Sequence, residues 1–296
     1  MQTINQINIP QEAFDWYDEY AHGFIDRRTF LSRLAGLAVV GLSANVISAA
    51  LIPNYALAEK VSFNDPDLKA SYIDFESPEG HGTGRGYLVT PSTADETTPK
   101  VLVVHENRGL NPYIKDVARR LAKAGFIALA PDALHPVGGY PGNDDEGRAM
   151  QKSLERAKIE HDFIAAARFL KGYEKGSDKL GVVGFCFGGY ITNMLAATLP
   201  EMVDAAVPFY GTPPHESIIG QIKAPLLLQF AEMDKRVNSK WPGYEASLKG
   251  NGINYRAHIY PGVNHGFHND STARYNEEAA TLAWSRTLAF FNRHLK

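Results

Sequence analysis

Residues 181–189 read GVVGFCFGG, a short apolar run that ends in a cysteine set between glycines. Leu180-Gly181-Val182-Val183 reads as a buried strand, and Tyr190-Ile191-Thr192-Asn193-Met194-Leu195 reads as a helix. The junction fits the template glycine, any residue, nucleophile, any residue, glycine, in which a strand turns sharply into a helix. Gly184 and Gly188 would have to be small for strand and helix to approach, and the helix N-terminus would favour a thiolate at Cys186. The same residues could equally be an ordinary strand, turn and helix around an inert core thiol. The motif alone does not choose between the two.

The chain on either side extends the first reading. Apolar runs at 71–77, 84–91, 101–106, 126–132, 180–185, 205–210, 225–232 and 255–261 alternate with helical stretches at about 113–124, 150–171, 189–198, 242–250 and 276–295. Continuous rather than alternating apolar strands imply burial on both faces, so an α/β fold with a mostly parallel sheet between helices is expected. PEGHGTG (78–84) leads into a strand rather than a helix, so it reads as a hairpin turn and not a phosphate cradle. HPVGGYPGNDDEG (135–147) reads as a mobile loop beside the strand ends.

A nucleophile of this type is followed in the chain by an acid and then a histidine. Asp234 lies 48 residues after Cys186, at the end of the strand PLLLQFAE, and His265 lies 31 residues further, just beyond YRAHIYP. Their order and placement make Cys186, His265 and Asp234 a candidate triad: thiol nucleophile, proton carrier, and the carboxylate that orients the imidazole. The backbone N–H groups of Phe187 and Asn107 are the candidate oxyanion donors. No metal or organic cofactor is called for, and His265-x-x-His268-x-Asp270 reads as loop rather than ligand set.

VLVVHENRGLNPYIKDVARRLAKAGFIALAPD, GVVGFCFGG, AEMD and YPGVNHGFHND together resemble the dienelactone hydrolase family of α/β-hydrolases, over residues 71–296. The resemblance implies cleavage of a small ester or lactone through a thioester acyl-enzyme, and a glutamate near the thiol that helps control its ionisation, in this chain Glu106. Members that act on dienelactone hold the substrate carboxylate with arginines after the PD strand end and after the histidine. This chain has His135 at the first place and His268 and Asn269 at the second, so another ester, lactone or thioester is the expected substrate. Arg108, Tyr140 and Arg274 are further candidates for the pocket. A general esterase, a thioesterase, an acyl transferase and a silent binding protein of the same fold are the alternatives.

The 296 residues carry 30 Lys and Arg against 33 Asp and Glu, which gives no general basic face for nucleic acid, and one cysteine excludes an internal disulfide. The first 58 residues stand apart. Arg27-Arg28-Thr29-Phe30-Leu31 precedes an uncharged run from Leu34 to Ala58 that ends in Ala56-Leu57-Ala58. This resembles a twin-arginine export signal, which implies passage through that machinery to the periplasm and cleavage before Glu59. An uncleaved membrane anchor is the alternative reading of the same run. Two features depart from the export pattern: Asp26 precedes the arginine pair, and Glu12, Asp15, Asp18 and Glu19 lie ahead of it. The expected organisation is a signal segment over 1–58 and one hydrolase domain over 59–296.

Overall fold

A computed structural model describes residues 9–37, 44–51, 53–55 and 58–296. Eight strands form one sheet in the order β1-β2-β4-β3-β5-β6-β7-β8, with β1 (Leu68–Ser77), β2 (Gly82–Pro91), β3 (Lys100–Val104), β4 (Ile127–Pro131), β5 (Leu180–Phe185), β6 (Ala205–Phe209), β7 (Leu226–Ala231) and β8 (Tyr255–Tyr260). Only the β1–β2 and β2–β4 pairs are antiparallel. All eight expected strands are present, and PEGHGTG is the β1–β2 hairpin, with Ser77 paired to Gly82. The expected α/β architecture is therefore the observed one.

Side-chain alternation explains the layers. Along β3, Val101 and Val103 join one buried cluster and Leu102 and Val104 the other, because successive residues of a strand point to opposite faces. Helices α4 (Pro112–Lys123) and α11 (Glu277–Leu295) cover the first face, through Val117, Leu121, Ala283 and Phe291. Helices α6 (Arg156–Lys171), α7 (Phe187–Thr198) and α10 (Trp241–Gly250) cover the second, through Phe163, Ile191 and Leu248. The interior strands are buried along their whole length, which is why they read as apolar runs.

The helix expected over 150–171 is two helices. Asn143 caps α5 (Asp144–Ser153), accepting from the Asp145 and Glu146 N–H groups, and extended backbone at Leu154 and Glu155 separates it from α6. The stretch 135–147 holds a short 3-10 turn (His135–Val137) and the start of α5 rather than loop alone. Short helices α8 (Glu216–Ile219) and α9 (Lys235–Asn238) complete the domain.

Before β1, helices α1 (Gln11–Ala21), α2 (Arg27–Gly36) and α3 (Ala44–Leu51) form a small core of their own around Tyr17, Tyr20, Phe30, Leu34, Ile47 and Leu51. Arg27 and Arg28 are the first residues of α2, capped by Asp26, whose side chain accepts from the Thr29 N–H at 2.7 Å. Part of the uncharged run, and Ala56 and Leu57 of the expected cleavage site, lie outside the described residues. No helix among the described residues is long and apolar enough to cross a membrane.

Candidate active site

Cys186 occupies the turn between β5 and α7 with φ 57° and ψ −111°, a left-handed conformation costly for a residue with a Cβ. The surrounding contacts hold it there. The Cys186 N–H donates to Phe209 O at 3.1 Å, and its carbonyl accepts from Gly189 and Tyr190. The glycines have measurable reasons. A Cβ on Gly184 would stand 2.1 Å from Gly188 O, and one on Gly188 would stand 2.2 Å from Val104 O, so strand, turn and helix close only without side chains there. Phe187 is the first residue of α7, so its N–H has no partner within the helix and is available beside the thiol.

The three triad candidates meet at this turn. Asp234 ends the β7 connection and caps α9, its Oδ1 accepting from the Val237 N–H at 3.0 Å while its Oδ2 lies 2.5 Å from His265 Nδ1. His265 sits in the loop after β8, buried against Tyr210 with ring centroids 4.8 Å apart. Its Nε2 has no hydrogen-bond partner among the described residues, and a ring nitrogen of His265 lies within 4.8 Å of Cys186 Sγ. Burial pulls the imidazole down, yet Asp234, Asp18 and the thiol push it up to about 10. Burial likewise opposes ionisation of Cys186, but His22 and His265 hold the thiol well below its ordinary range.

Residues 85–295 match the family model described as Dienelactone hydrolase family. The chain belongs to the dienelactone hydrolase family. A candidate carboxymethylenebutenolidase of Aquifex aeolicus is 37% identical over 225 residues, covering 72% of this chain and 94% of that one. A candidate hydrolase fragment, YghX, of Escherichia coli is 65% identical over 105 residues, 36% of this chain and 90% of that one. Among solved structures, a candidate dienelactone hydrolase of Klebsiella pneumoniae superposes with TM-score 0.66 at 28% identity, over 76% of this chain and 99% of that one. A second model, YqhI-like, matches residues 1–39.

Within this family frame, Glu106 is buried just beyond β3, as expected, and accepts from Asn269 Nδ2 at 3.0 Å. Burial raises its pKa; Arg108 opposes that shift and the thiol adds to it. The Asn107 side chain lines the Cys186 cavity and donates to Ala21 O at 2.7 Å. Arg274 borders a neighbouring cavity with His265, and its guanidinium lies over the Tyr17 ring at 4.9 Å rather than against Glu277 or Glu278.

Four expected pocket residues point elsewhere. Arg108 pairs with Asp144 at 2.6 Å and donates to Tyr17 Oη at 3.1 Å, because a buried guanidinium needs acceptors. Tyr140 donates to the same Asp144 at 2.8 Å. His268 is buried between Tyr113 Oη, 2.7 Å from its Nδ1, and the stacked Phe185 ring, where burial holds it neutral. His135 opens the 3-10 turn beside Asp74 and lines none of the three cavities around the site. Asp270 pairs with Arg120, so the HxxHxD stretch is not a ligand set.

The sequence reading missed the side chains that α1 brings to the cleft. His22, just after α1, places Nε2 at 3.2 Å from Cys186 Sγ. Its end of the helix divides the cleft: about 240 Å³ around Cys186, Arg156, Tyr210 and Arg236, about 370 Å³ beyond Asp18 and Phe24, and about 560 Å³ toward Arg148 and Phe187. Asp18 and His22 stand one helical turn apart, a spacing visible in the sequence. Donor atoms of His22, Cys186 and His265 lie within 4.8 Å of one another, a set of the kind that holds zinc. The Arg236 guanidinium, 2.9 Å from His22 Nε2, places a cation beside the lone pair a metal would need.

Proposed function

We propose that the protein hydrolyses a small carboxylic ester or lactone through a thioester on Cys186, with His265 and Asp234 as proton carrier and orienting acid. The observation that carries this reading is the buried thiol on a strained turn at a helix N-terminus, beside a histidine whose far nitrogen is held by a buried carboxylate. The thiolate attacks the acyl carbon, and the oxyanion is received by the Phe187 and Asn107 N–H groups. The alkoxide leaves with a proton from His265, and water then cleaves the thioester. An amine leaves less readily than a thiolate from the same intermediate, which favours esters over amides.

A cavity of about 240 Å³ at the thiol suits a small acyl group. The test is a panel of esters, lactones and thioesters assayed with the wild type and Cys186→Ala, with mass spectrometry for the acyl adduct. Activity that depends on the thiol supports the proposal, and thiol-independent activity or none across the panel overturns it. Transfer of the acyl group to added alcohols in preference to water would assign an acyl transferase instead.

For residues 1–58 the sequence supports a second proposal, export to the periplasm, from Arg27-Arg28-Thr29-Phe30-Leu31 ahead of the uncharged run. The contacts of α1 with the site favour a segment retained in the working enzyme. N-terminal sequencing of protein from periplasmic and cytoplasmic fractions separates the two: a start at Glu59 supports export with cleavage, and an intact segment supports retention.

A further inference from the structure

The triad leaves one histidine unexplained, and it is the one in contact with sulfur. His22 Nδ1 lies 2.8 Å from the Asp18 carbonyl oxygen and 3.2 Å from the Asp18 carboxylate, both of which can only accept. Nδ1 therefore carries the proton. On the other side, Arg236 Nη2 lies 2.9 Å from Nε2, and a guanidinium can only donate. Nε2 therefore carries a lone pair, whose two neighbours are the Arg236 N–H at 2.9 Å and Cys186 Sγ at 3.2 Å, and it takes a proton from sulfur only as the Arg236 N–H gives way. In this tautomer His22 is a base poised at the thiol. His265 Nε2, by contrast, makes no hydrogen bond among the described residues.

We propose that His22 is the immediate proton acceptor of the Cys186 thiol, a second active-site histidine delivered by α1, and that His265 serves the substrate oxygen and the hydrolytic water. The proposal rests on Cys186 being the nucleophile. The placement is built rather than incidental. Asn107 Nδ2 holds the Ala21 carbonyl, Arg108 holds Tyr17 Oη, Arg236 Nε donates to Asp18 Oδ2 at 3.2 Å, and Gln11 Nε2 donates to Asn264 Oδ1 at 2.5 Å.

Protons and bonds balance without a co-reactant. The Arg236 N–H leaves the Nε2 lone pair and turns toward the sulfur as the Sγ–H proton passes to His22 Nε2, giving a thiolate and an imidazolium. The C–S bond forms, the C–O bond breaks, and the alkoxide takes the proton of His265 Nε2–H. Neutral His265 then takes a proton from water, the hydroxide adds to the thioester carbon, and the C–S bond breaks to return the thiolate with His22 still charged.

Other ionisable groups face this pair from every side. The carboxylates are Asp18 on α1, Asp234 before α9 and Glu106 after β3, and the phenol is Tyr210 after β6. The cations are Arg236 on α9, Arg156 on α6, and Arg274 ahead of α11. Burial works against a charged His22, and Cys186 and Asp18 outweigh it, so its affinity for a proton is raised.

The test is the pH dependence of Cys186 alkylation by iodoacetamide in the full chain, for wild type, His22→Gln, Asp18→Asn and His265→Gln, each checked for native circular dichroism. The expected result is a midpoint raised by one unit or more in His22→Gln, with alkylation at pH 6.5 about tenfold slower. Asp18→Asn should move it in the same direction by less. In His265→Gln the midpoint should move less than in His22→Gln, while an acyl adduct accumulates from an accepted ester. A midpoint that moves in His265→Gln but not in His22→Gln overturns the proposal. So does faster alkylation of His22→Gln at every pH with an unchanged midpoint, which would make the side chain a plug. Alkylation needs no substrate, so its failure is separate from failure of the hydrolase reading, which the ester panel with Cys186→Ala decides.

Discussion

Replacing Asp234 by asparagine keeps the volume of the side chain but reverses what it offers His265. The Oδ1 that accepts from the Val237 N–H can remain as a carbonyl, so the cap of α9 survives. The amide NH2 must then face His265 Nδ1, where a carboxylate oxygen now lies at 2.5 Å. An NH2 donates, so it selects the tautomer with the proton on Nε2 and leaves His265 no lone pair for water. Loss of a charge-assisted hydrogen bond is worth about 1.5–3 kcal/mol, or roughly one to two pH units at about 1.4 kcal/mol each. The His265 pKa, pushed up to about 10 in the wild type, should therefore fall to about 8–9. General acid–base assistance contributes about 10²–10⁴-fold, and kcat/KM at pH 7 should fall within that range. Carbon-13 histidine NMR follows the titration directly, with the His265→Gln spectrum assigning the signal. A His265 resonance that titrates as in the wild type, or undiminished activity at pH 7, would refute Asp234 as the orienting acid.

The same pair sets a stability window. His265 binds its proton more tightly folded than unfolded, so its contribution is whole below about 6.5 and lost as pH rises through about 10. Burial raises the Asp234 pKa, but His265 outweighs it and the net shift is downward, so that contribution is present above the ordinary carboxylate pKa and lost in acid. The difference in melting temperature between wild type and Asp234→Asn should therefore be largest at about pH 4–6.5 and shrink toward pH 10.

Three further substitutions probe the surroundings. Gly188→Ala drives a Cβ onto the Val104 and His105 carbonyls and should cost about 1–3 kcal/mol or prevent folding, read by circular dichroism and thermal melting; wild-type stability would contradict the close packing of the turn against β3. Asn107→Ala removes the hydrogen bond to Ala21 O, worth about 1 kcal/mol, so amide exchange in α1 should quicken about fivefold while the sheet is unchanged. Unaltered exchange over residues 11–22 would mean that this bond does not seat the helix. Glu106→Gln removes a carboxylate whose charge opposes the thiolate, so the alkylation midpoint of Cys186 should move down; an upward shift would reverse the sign assigned to Glu106.

The domain was legible because its signals are local. Each interior strand is buried on both faces and so reads as an apolar run, and each triad candidate follows its own strand end in the expected order. The pocket was less legible because arginine and histidine placement depends on partners far along the chain. Arg108 has the position of a substrate ligand, yet Asp144, 36 residues away, accepts from it. His268 has the position of a stand-in for an arginine three places after His265, yet the loop turns it into the core against Tyr113 and Phe185. Position relative to a motif fixes where the backbone goes, and the hydrogen-bond partners decide where the side chain ends.

The first 58 residues show the opposite limit. Twin arginines before an uncharged run describe an export signal by composition, and composition carries no information about what a segment touches. The acids that depart from the export pattern were the informative part. Asp26 caps α2, Asp18 pairs with His22 and Arg236, and Glu19 pairs with Arg33. Asp26 and Glu19 order the N-terminal helices, and Asp18 faces the imidazole beside the thiol. Asp18 fixes His22 from one side and Arg236 from the other, and the net effect of its neighbours keeps Asp18 ionised despite burial. The midpoint shift expected in His22→Gln is therefore the measurement on which the N-terminal segment's claim to the active site turns; Asp18→Asn removes a charge that His22, His265 and Arg236 all feel, and its smaller shift accompanies it.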